Sequence, residues 1–428
     1  MLIGAAFMAA ASTYFAIPRR RYSNRAPYVF VRETFLRNGV QWPYVPKMSP
    51  FIQNERMTLP KTTDVFVVGG GPAGLSAAIA ARRRGFDVTL ADCAIPPIDK
   101  ACGEGIMPDG LRAARSLGID LEVPPAVRFS GIRFYDRESS AEGHFPRGYG
   151  LGMRRTTLHN HMVELAADAG VRLAWGANVT GIAGEKVSVS GQEVVARWIV
   201  GADGGHSRVR RWAGLDSCYR ESCRFGFRAH YQIAPSSELM ELHWGDACQL
   251  YITPVAADEI CVALLSRDPH LRLGDALPGF PAVARRISHL EAMRPTAELG
   301  GVSASRRLKS VWRDRVALVG DASGSVDAIT GEGLCLLFQQ SAALSGALEA
   351  GDLSLYQEAH RRIGRRPELM ADLMLLLGRR NRLRRRVIDS MAAEPRLFAG
   401  MLAAHVGEVS PRQVLSGGLA LGWRMLTI

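Results

Sequence analysis

Gly69, Gly71 and Gly74 stand in G-G-G-P-A-G, which satisfies the spacing G-x-G-x-x-G between a short apolar run and a helix-like one. This pattern suits a dinucleotide. Gly69 permits a tight turn, Gly71 lets backbone approach a pyrophosphate, and Gly74 lets a helix pack closely on a strand. Pro72 and Ala73 open the helix, whose free N–H groups and positive dipole end face the phosphates. Asp92, eighteen residues past Gly74, ends the next apolar run, where a carboxylate accepts hydrogen bonds from ribose hydroxyls.

Other residue types with reactive chemistry are less committed. Cys102 lies in K-A-C-G-E-G-I-M-P-D-G (Lys100–Gly110) and reads as a reactive thiol, a metal ligand, or a compact side chain beside something that needs room. A redox thiol wants a partner, and Cys93 sits across a loop with no C-x-x-C spacing. The seven cysteines are odd in number and scattered, which suits reduced thiols in a cytoplasmic protein. His159 and His161 are two apart on a predicted helix and face different ways, so no metal site is expected. Ser207 belongs to no G-x-S-x-G elbow, which argues against a hydrolase.

Two further stretches combine an acid with glycines. A-D-G-G-H-S-R-V-R (Ala202–Arg210) turns a strand end through Asp203 and Gly204, and V-G-D-A-S-G-S-V-D-A-I-T-G-E-G-L (Val319–Leu334) ends a strand at Asp321. A helix opening at Gly331, Gly333 and Leu334 would aim N–H groups and its dipole at a ligand. Asp321 also reads as a helix N-cap. Glu332 reads as a helix-start charge complementing the dipole rather than as a catalytic acid.

The elements that must position these residues follow from the hydrophobic pattern. D-V-F-V-V, a glycine turn, a helix over 72–84 and D-V-T-L-A-D form a βαβ unit, the start of a doubly wound parallel sheet. Strand-like runs return at 196–203 and 315–321, so something is inserted between them. Alternating runs at 225–233, 248–253 and 259–265 predict an antiparallel sheet suited to a substrate-pocket floor. Alternation puts Arg228 and His230 on one face and Phe227 and Tyr231 on the other. The predicted fold class is α/β: a Rossmann-type domain with an inserted antiparallel sheet and a C-terminal helical segment. The expected division is 1–61 as an N-terminal extension, 62–213 and 301–350 as the two parts of the binding domain, 214–300 as the substrate domain, and 351–428 as helices.

The three motifs, in this order over 62–348, resemble the para-hydroxybenzoate hydroxylase-like flavoproteins, which include aromatic monooxygenases and geranylgeranyl reductases. The resemblance implies FAD. By it, Asp92 holds the adenosine ribose, Asp321 the ribityl chain, and Asp203 belongs to the motif tied to FAD and reduced nicotinamide. Arg155, in M-R-R-T-T-L, matches an arginine near the cofactor, and Val179 joins the cofactor contacts. Gly103 and Gly105 then give the flavin room, and Cys102 becomes a compact lining side chain or a proton donor. Ala328 departs from the proline of many relatives.

Two reactions fit the resemblance. The first expectation is an NAD(P)H-dependent monooxygenase hydroxylating an aromatic or polyketide-like substrate through a flavin C4a-hydroperoxide. The alternative is reduction of prenyl or other C=C bonds, and a non-catalytic flavin-binding protein is third. Lys100–Gly105 is similar to the Cys-Gly-rich segment of geranylgeranyl reductases, but Y-I-T-P (Tyr251–Pro254) lacks their Tyr-x-Trp-x-Phe-Pro signature.

The chain's 428 residues suffice for several domains, and its composition, 47% hydrophobic and 22% charged, is that of a globular protein. Its net charge of +12 is carried mostly by arginine. Residues 1–56 hold eight basic residues against two acids; they read as an over-long reading frame, a disordered extension or a membrane-associating segment. The cluster Arg379–Arg386 reads as a solvated helix face or as a surface meeting anionic lipid. No nucleic-acid module accompanies the charge. With the apolar run 369–377, it hints at a lipophilic small-molecule substrate collected at a membrane periphery.

Overall fold

The run T-T-D-V-F-V-V over Thr62–Val68 (β1) is rich in β-branched residues, and Val65, Phe66 and Val67 are fully buried. The computed structural model in which it is seen describes residues 59–137, 139–287 and 296–409, with Gly422 and Arg424. The extension expected at the N-terminus lies outside the described residues as far as position 58. From β1 the chain turns into α1 (Pro72–Arg83), with Pro72 at the helix start, where its missing N–H costs nothing. It returns as β2 (Val88–Asp92), parallel to β1 with Val65 opposite Val88.

The next segment carries β3 (Gly105–Ile106), α2 (Pro108–Ser116), β4 (Val127–Phe129), β5 (Gly131–Asp136), β6 (Ser139–His144) and β7 (Gly150–Gly152). Then come α3 (Arg155–Asp168), β8 (Arg172–Trp175), β9 (Val179–Ala183), β10 (Lys186–Val189), β11 (Gln192–Gly201) and α4 (Arg208–Trp212). The middle of the chain supplies β12 (Cys218–Tyr231), β13 (Leu239–Trp244), β14 (Cys248–Ala256), β15 (Glu259–Ser266), α5 (Leu273–Ala276), α6 (Pro281–Ile287) and β16 (Leu299–Leu308). The chain then re-enters the first sheet through β17 (Trp312–Arg313) and β18 (Val316–Leu318). It ends in α7 (Gly333–Ala350), α8 (Leu353–Arg379), α9 (Asn381–Ala393) and α10 (Pro395–His405).

The first sheet has the order β17-β18-β11-β1-β2-β8, with β9 and β10 attached to β11. Its central pairs β18–β11, β11–β1, β1–β2 and β2–β8 are all parallel. This is the doubly wound Rossmann-type arrangement, and the loops after β1 and β18, two strands separated by β11, both open at the carboxyl edge of the sheet. Ligands bind at such ends.

The second sheet has the order β16-β12-β15-β14-β13-β5-β6. It is antiparallel except at β13–β5, which runs parallel with Leu242 opposite Phe134. β5 and β6 precede the predicted insert, and β16 outlasts it. No hairpin joins β5 to β13, so nothing local in the sequence announces that pairing. Helices α9 and α10 pack on β6, and every residue of β13 is buried. Phe227, Arg228, His230 and Tyr231 are likewise all buried, so alternation on β12 separates two covered faces rather than an inside from an outside.

The basic cluster over 379–386 is split. Arg379, Arg380, Arg382, Arg385 and Arg386 are exposed, whereas Arg384 is buried and grips both carboxylate oxygens of Asp136 on β5 at 3.0 Å. That pair pins α9 to the second sheet.

Candidate functional site

The glycine turn after β1 is fixed by close approach. Gly69 has φ +110°, and a Cβ there would lie 2.5 Å from the Ala202 carbonyl oxygen; one on Gly74 would lie 1.8 Å from that of Gly69. The first turn of α1 carries no side-chain cap. Gly70 N–H donates to Asp92 Oδ2 at 2.5 Å and Ala94 N–H to Oδ1 at 2.7 Å, so Asp92 ties the turn to the end of β2. On the other side, His159 Nε2 lies 2.8 Å from the Gly70 carbonyl oxygen. Burial lowers the His159 pKa to about 4, so the ring is neutral and Nε2–H is the donor. Nothing in the sequence signals that role.

The loop after β18 closes against this turn. Gly320, at φ +61°, would place a Cβ 2.5 Å from that of Ala73. Lys100 Nζ lies 2.7 Å from Asp321 Oδ2. Lys100, with further positive charge on Arg155, holds the Asp321 carboxyl below its usual range. Asp321 therefore sits in a positive surround rather than at a helix cap. Asp203 is engaged within its own turn: Oδ2 accepts from Arg208 N–H at 2.6 Å and Val209 N–H at 3.1 Å, and Oδ1 from the Ser207 hydroxyl at 2.5 Å. Arg210 is buried and donates to the carbonyls of Ala322 and Gly205, joining that turn to the loop. Val179 is buried in a second apolar core that also holds Val68, Ala91 and Ala322, the residues next to the glycine turn, Asp92 and Asp321.

The Cys102 segment passes between the two sheets. Cys102 is half-buried, and its Sγ accepts from Glu104 N–H at 3.4 Å. Glu104, in the left-handed region at φ +60°, is the centre of the segment. Its Oε1 accepts from Arg155 N–H at 3.0 Å, and its Oε2 lies 2.7 Å from His230 Nε2. Arg228 donates to Asp99 at 2.6 Å and lies 3.1 Å from His230 Nδ1. Glu104, His230 and Cys261 are close enough together to ligate a cation. The Arg228 guanidinium, 3.7 Å from Glu104, already supplies positive charge there. The sequence pointed to the cysteine of this segment; the glutamate two residues on is its structural centre.

Before α7 the chain makes a 3-10 turn (Ala328–Thr330) capped by Asp327, whose Oδ1 accepts from Ile329 N–H at 3.1 Å. Asp327 forms a buried ion pair with Arg224 of β12 at 2.6 Å, and the Tyr251 hydroxyl of β14 donates to the Ile329 carbonyl at 2.7 Å. Both fasten the loop to the second sheet. Gly331 takes φ +68°, so α7 begins at Gly333, with Leu334 buried in the core. Glu332 departs from the predicted dipole partner. It is 3% exposed, and burial together with the Asp109 charge pushes its pKa up to about 8. At neutral pH it is mainly protonated and carries little charge for the dipole.

These residues fit FAD. A Cβ on Gly71, Gly103, Gly331 or Gly333 would meet nothing within 4 Å, so backbone in three different segments faces open space. Arg155 Nε is buried without a hydrogen-bond partner. Beside the loop, apolar side chains of the second sheet and the C-terminal helices close around a narrow cleft of about 30 Å³. It is lined by Ile132, Phe134, Met240 and Leu242 from the sheet and by Met370, Met374, Met401 and Leu402 from α8 and α10. Tyr251, Ile329, Thr330 and His405 complete it. Methionine is flexible and polarizable, and suits irregular apolar ligands.

Residues 62–251 match the FAD binding domain family. The chain is 28% identical over 335 residues to the menaquinone reductase of Mycobacterium tuberculosis, covering 70% of this chain and 79% of the relative. It is also 28% identical over 331 residues to digeranylgeranylglycerophospholipid reductase 1 of Methanothermobacter thermautotrophicus, covering 70% and 80%. In fold it resembles a probable FAD-dependent monooxygenase from Pseudomonas aeruginosa, with TM-score 0.60, 20% identity, and 80% and 99% of the two chains covered. Motifs, sheet order and family match converge: the chain is an FAD-dependent oxidoreductase whose fold resembles the para-hydroxybenzoate hydroxylase-like flavoproteins.

Proposed function

We propose that the protein reduces a carbon–carbon double bond in a long, flexible, apolar molecule such as a prenyl lipid or a prenylated quinone. The observation that carries this reading is the methionine-rich apolar lining beside the 329–333 loop, which closes around a void of about 30 Å³ and whose flexible side chains would have to part to admit a chain. An aromatic acid held for hydroxylation needs several polar groups to orient its ring, whereas this lining offers only Tyr251, Thr330 and His405, and the Tyr251 hydroxyl is engaged by Ile329. The names of the relatives, a menaquinone reductase and a digeranylgeranylglycerophospholipid reductase, support the same class.

Bound FAD would supply hydride, with NAD(P)H as its electron donor. The chain's residues position and shield it. Gly69, Gly71 and Gly74 shape the pyrophosphate turn, with Pro72 and Ala73 opening the helix that faces it. Asp92 would hold the ribose, and Asp321 and Arg155 the central part of the cofactor. Gly103, Gly331 and Gly333 would leave backbone room for the ring. Cys102, whose thiol accepts a backbone N–H, would line the site. The cleft excludes water from the acceptor carbon and leaves the rest of the molecule in apolar contact.

The substrate's solubility suggests where the enzyme meets it. Leu369 and Leu376, 57% and 37% exposed, lie on α8 near Arg379 and Arg380, a combination suited to the face of an anionic bilayer. Among the described residues no helix is long and apolar enough to cross a membrane.

Supplying purified enzyme with FAD, NAD(P)H and candidate lipids, and following oxygen uptake and product mass, tests the reading. It expects a gain of two hydrogens without substrate-dependent oxygen uptake. A product bearing a new oxygen atom, formed with matching oxygen consumption, would instead establish hydroxylation.

A further inference from the structure

The apolar cleft has one ionisable pair at its polar end, and both members are buried. His405, at the end of α10, lines the cleft, and its Nδ1 has no hydrogen-bond partner. Glu332 lies behind it, at the head of α7, with Oε1 3.9 Å from His405 Nδ1 and Oε2 also without a partner. Thr330, another cleft residue, lies beside the Glu332 side chain and donates its hydroxyl to the Asp327 carbonyl at 3.3 Å. Every charged neighbour is accounted for. Asp109 of α2 is paired with Arg366 of α8 at 2.9 Å, so their effects on Glu332 oppose each other, and the buried Cys335 thiol lies one turn along α7. A buried carboxyl with an unbonded oxygen is costly unless it has work to do.

We propose that Glu332 and His405 form the proton source of the cleft, Glu332 holding the proton and His405 delivering it to the substrate. This rests on the double-bond-reductase reading. His405 gives its Nε2 proton to one carbon of the double bond, whose π electron pair forms that C–H bond. The other carbon takes hydride, with its electron pair, from reduced FAD. Glu332 passes its carboxyl proton to His405 Nδ1, which leaves a neutral Nδ1–H imidazole and a carboxylate. Between turnovers the Nδ1 proton returns to Glu332 as water protonates Nε2, which restores the starting tautomer and the protonated carboxyl. Bound reduced FAD would thus supply one hydride, which carries both electrons, and Glu332 one proton through His405; an external two-electron donor, a reduced nicotinamide, would regenerate the cofactor. The 3.9 Å gap needs about 1 Å of closure, as apo-state catalytic hydrogen bonds commonly do. His405 is the catalytic residue and Glu332 a positioning and proton-holding one. Burial keeps Glu332 protonated near neutral pH and His405 uncharged, the two states the relay starts from.

The test has two arms on the FAD-loaded enzyme. Infrared titration without substrate should show a protonated-carboxyl band that disappears as pH rises through about 8 and is absent from Glu332→Gln. Single-turnover reduction of a prenyl-lipid double bond should fall as pH rises through the same range in the wild type. It should drop by about a hundredfold and lose that pH dependence in Glu332→Gln, and regain it in Glu332→Asp. FAD absorbance and melting temperature establish that each variant is folded. A wild-type pH profile and rate in Glu332→Gln, or no titrating carboxyl band, overturns the relay alone. A wild type that reduces no double bond overturns the relay and the reductase reading together.

Discussion

A carboxyl enclosed by protein and apolar groups is stable chiefly in its protonated form, and Glu332 is such a group. Its folded pKa is raised from 4.5 to about 8. The sign follows from linkage: the stabilisation is fully present below pH 4.5 and is lost as pH rises toward 8. The melting temperature of the wild type should therefore fall relative to Glu332→Gln across that window, by the equivalent of about 3–5 kcal/mol. A constant difference between the two proteins from pH 5 to 9 would contradict the buried, protonated state. Asp321 is held ionised by Lys100, so Asp321→Ala should weaken FAD binding about tenfold or more in fluorescence titration, while the apoprotein stays folded. For Cys102 the expected outcome is quieter. Its Sγ accepts a backbone N–H, a task serine performs as well, so Cys102→Ser should keep both FAD and turnover. Loss of turnover with FAD still bound would instead identify the thiol as the proton donor.

Elements are tied together here by side chains whose partners are distant in sequence. His159 on α3 holds the glycine turn from 89 positions away, and Arg384 on α9 holds β5 from 248. Removing one member of a buried, bidentate ion pair leaves a charge without compensation, so Arg384→Ala should cost about 3–5 kcal/mol in urea unfolding. His159→Ala should raise the FAD dissociation constant with little pH dependence above pH 6, because the ring it removes is neutral there. The βαβ unit was legible in the sequence because its strand, turn, helix and acid follow one another within 31 residues and each step has local chemistry. The β13–β5 pairing, the Glu104–His230 contact and the burial of Arg384 were not, because each depends on tertiary proximity that no spacing encodes. The same reason explains Glu332. Its position at a helix start was readable, but its burial is decided by α2, α8 and α10 closing over it.

At the scale of the molecule, two sheets and a helical cap converge on one loop. The parallel sheet presents the glycine turn and Asp321, the second sheet grips the 3-10 turn through Arg224 and Tyr251, and α8 and α10 close the cleft with methionines. The exposed leucines and arginines at the end of α8 should give salt-sensitive binding to anionic phosphatidylglycerol vesicles. Replacing Leu376, Arg379 and Arg380 together should abolish it in a flotation assay; unchanged flotation would remove the membrane proposal. The central claim concerns what the cleft holds and what happens to it. Its most direct test is anaerobic mixing of the reduced enzyme with a prenylated quinone or prenyl lipid, monitoring flavin absorbance and product mass. The account predicts that the flavin reoxidises without oxygen, in step with a product carrying two more hydrogens. A flavin that stays reduced until oxygen is admitted, and then yields an oxygenated product, would contradict it.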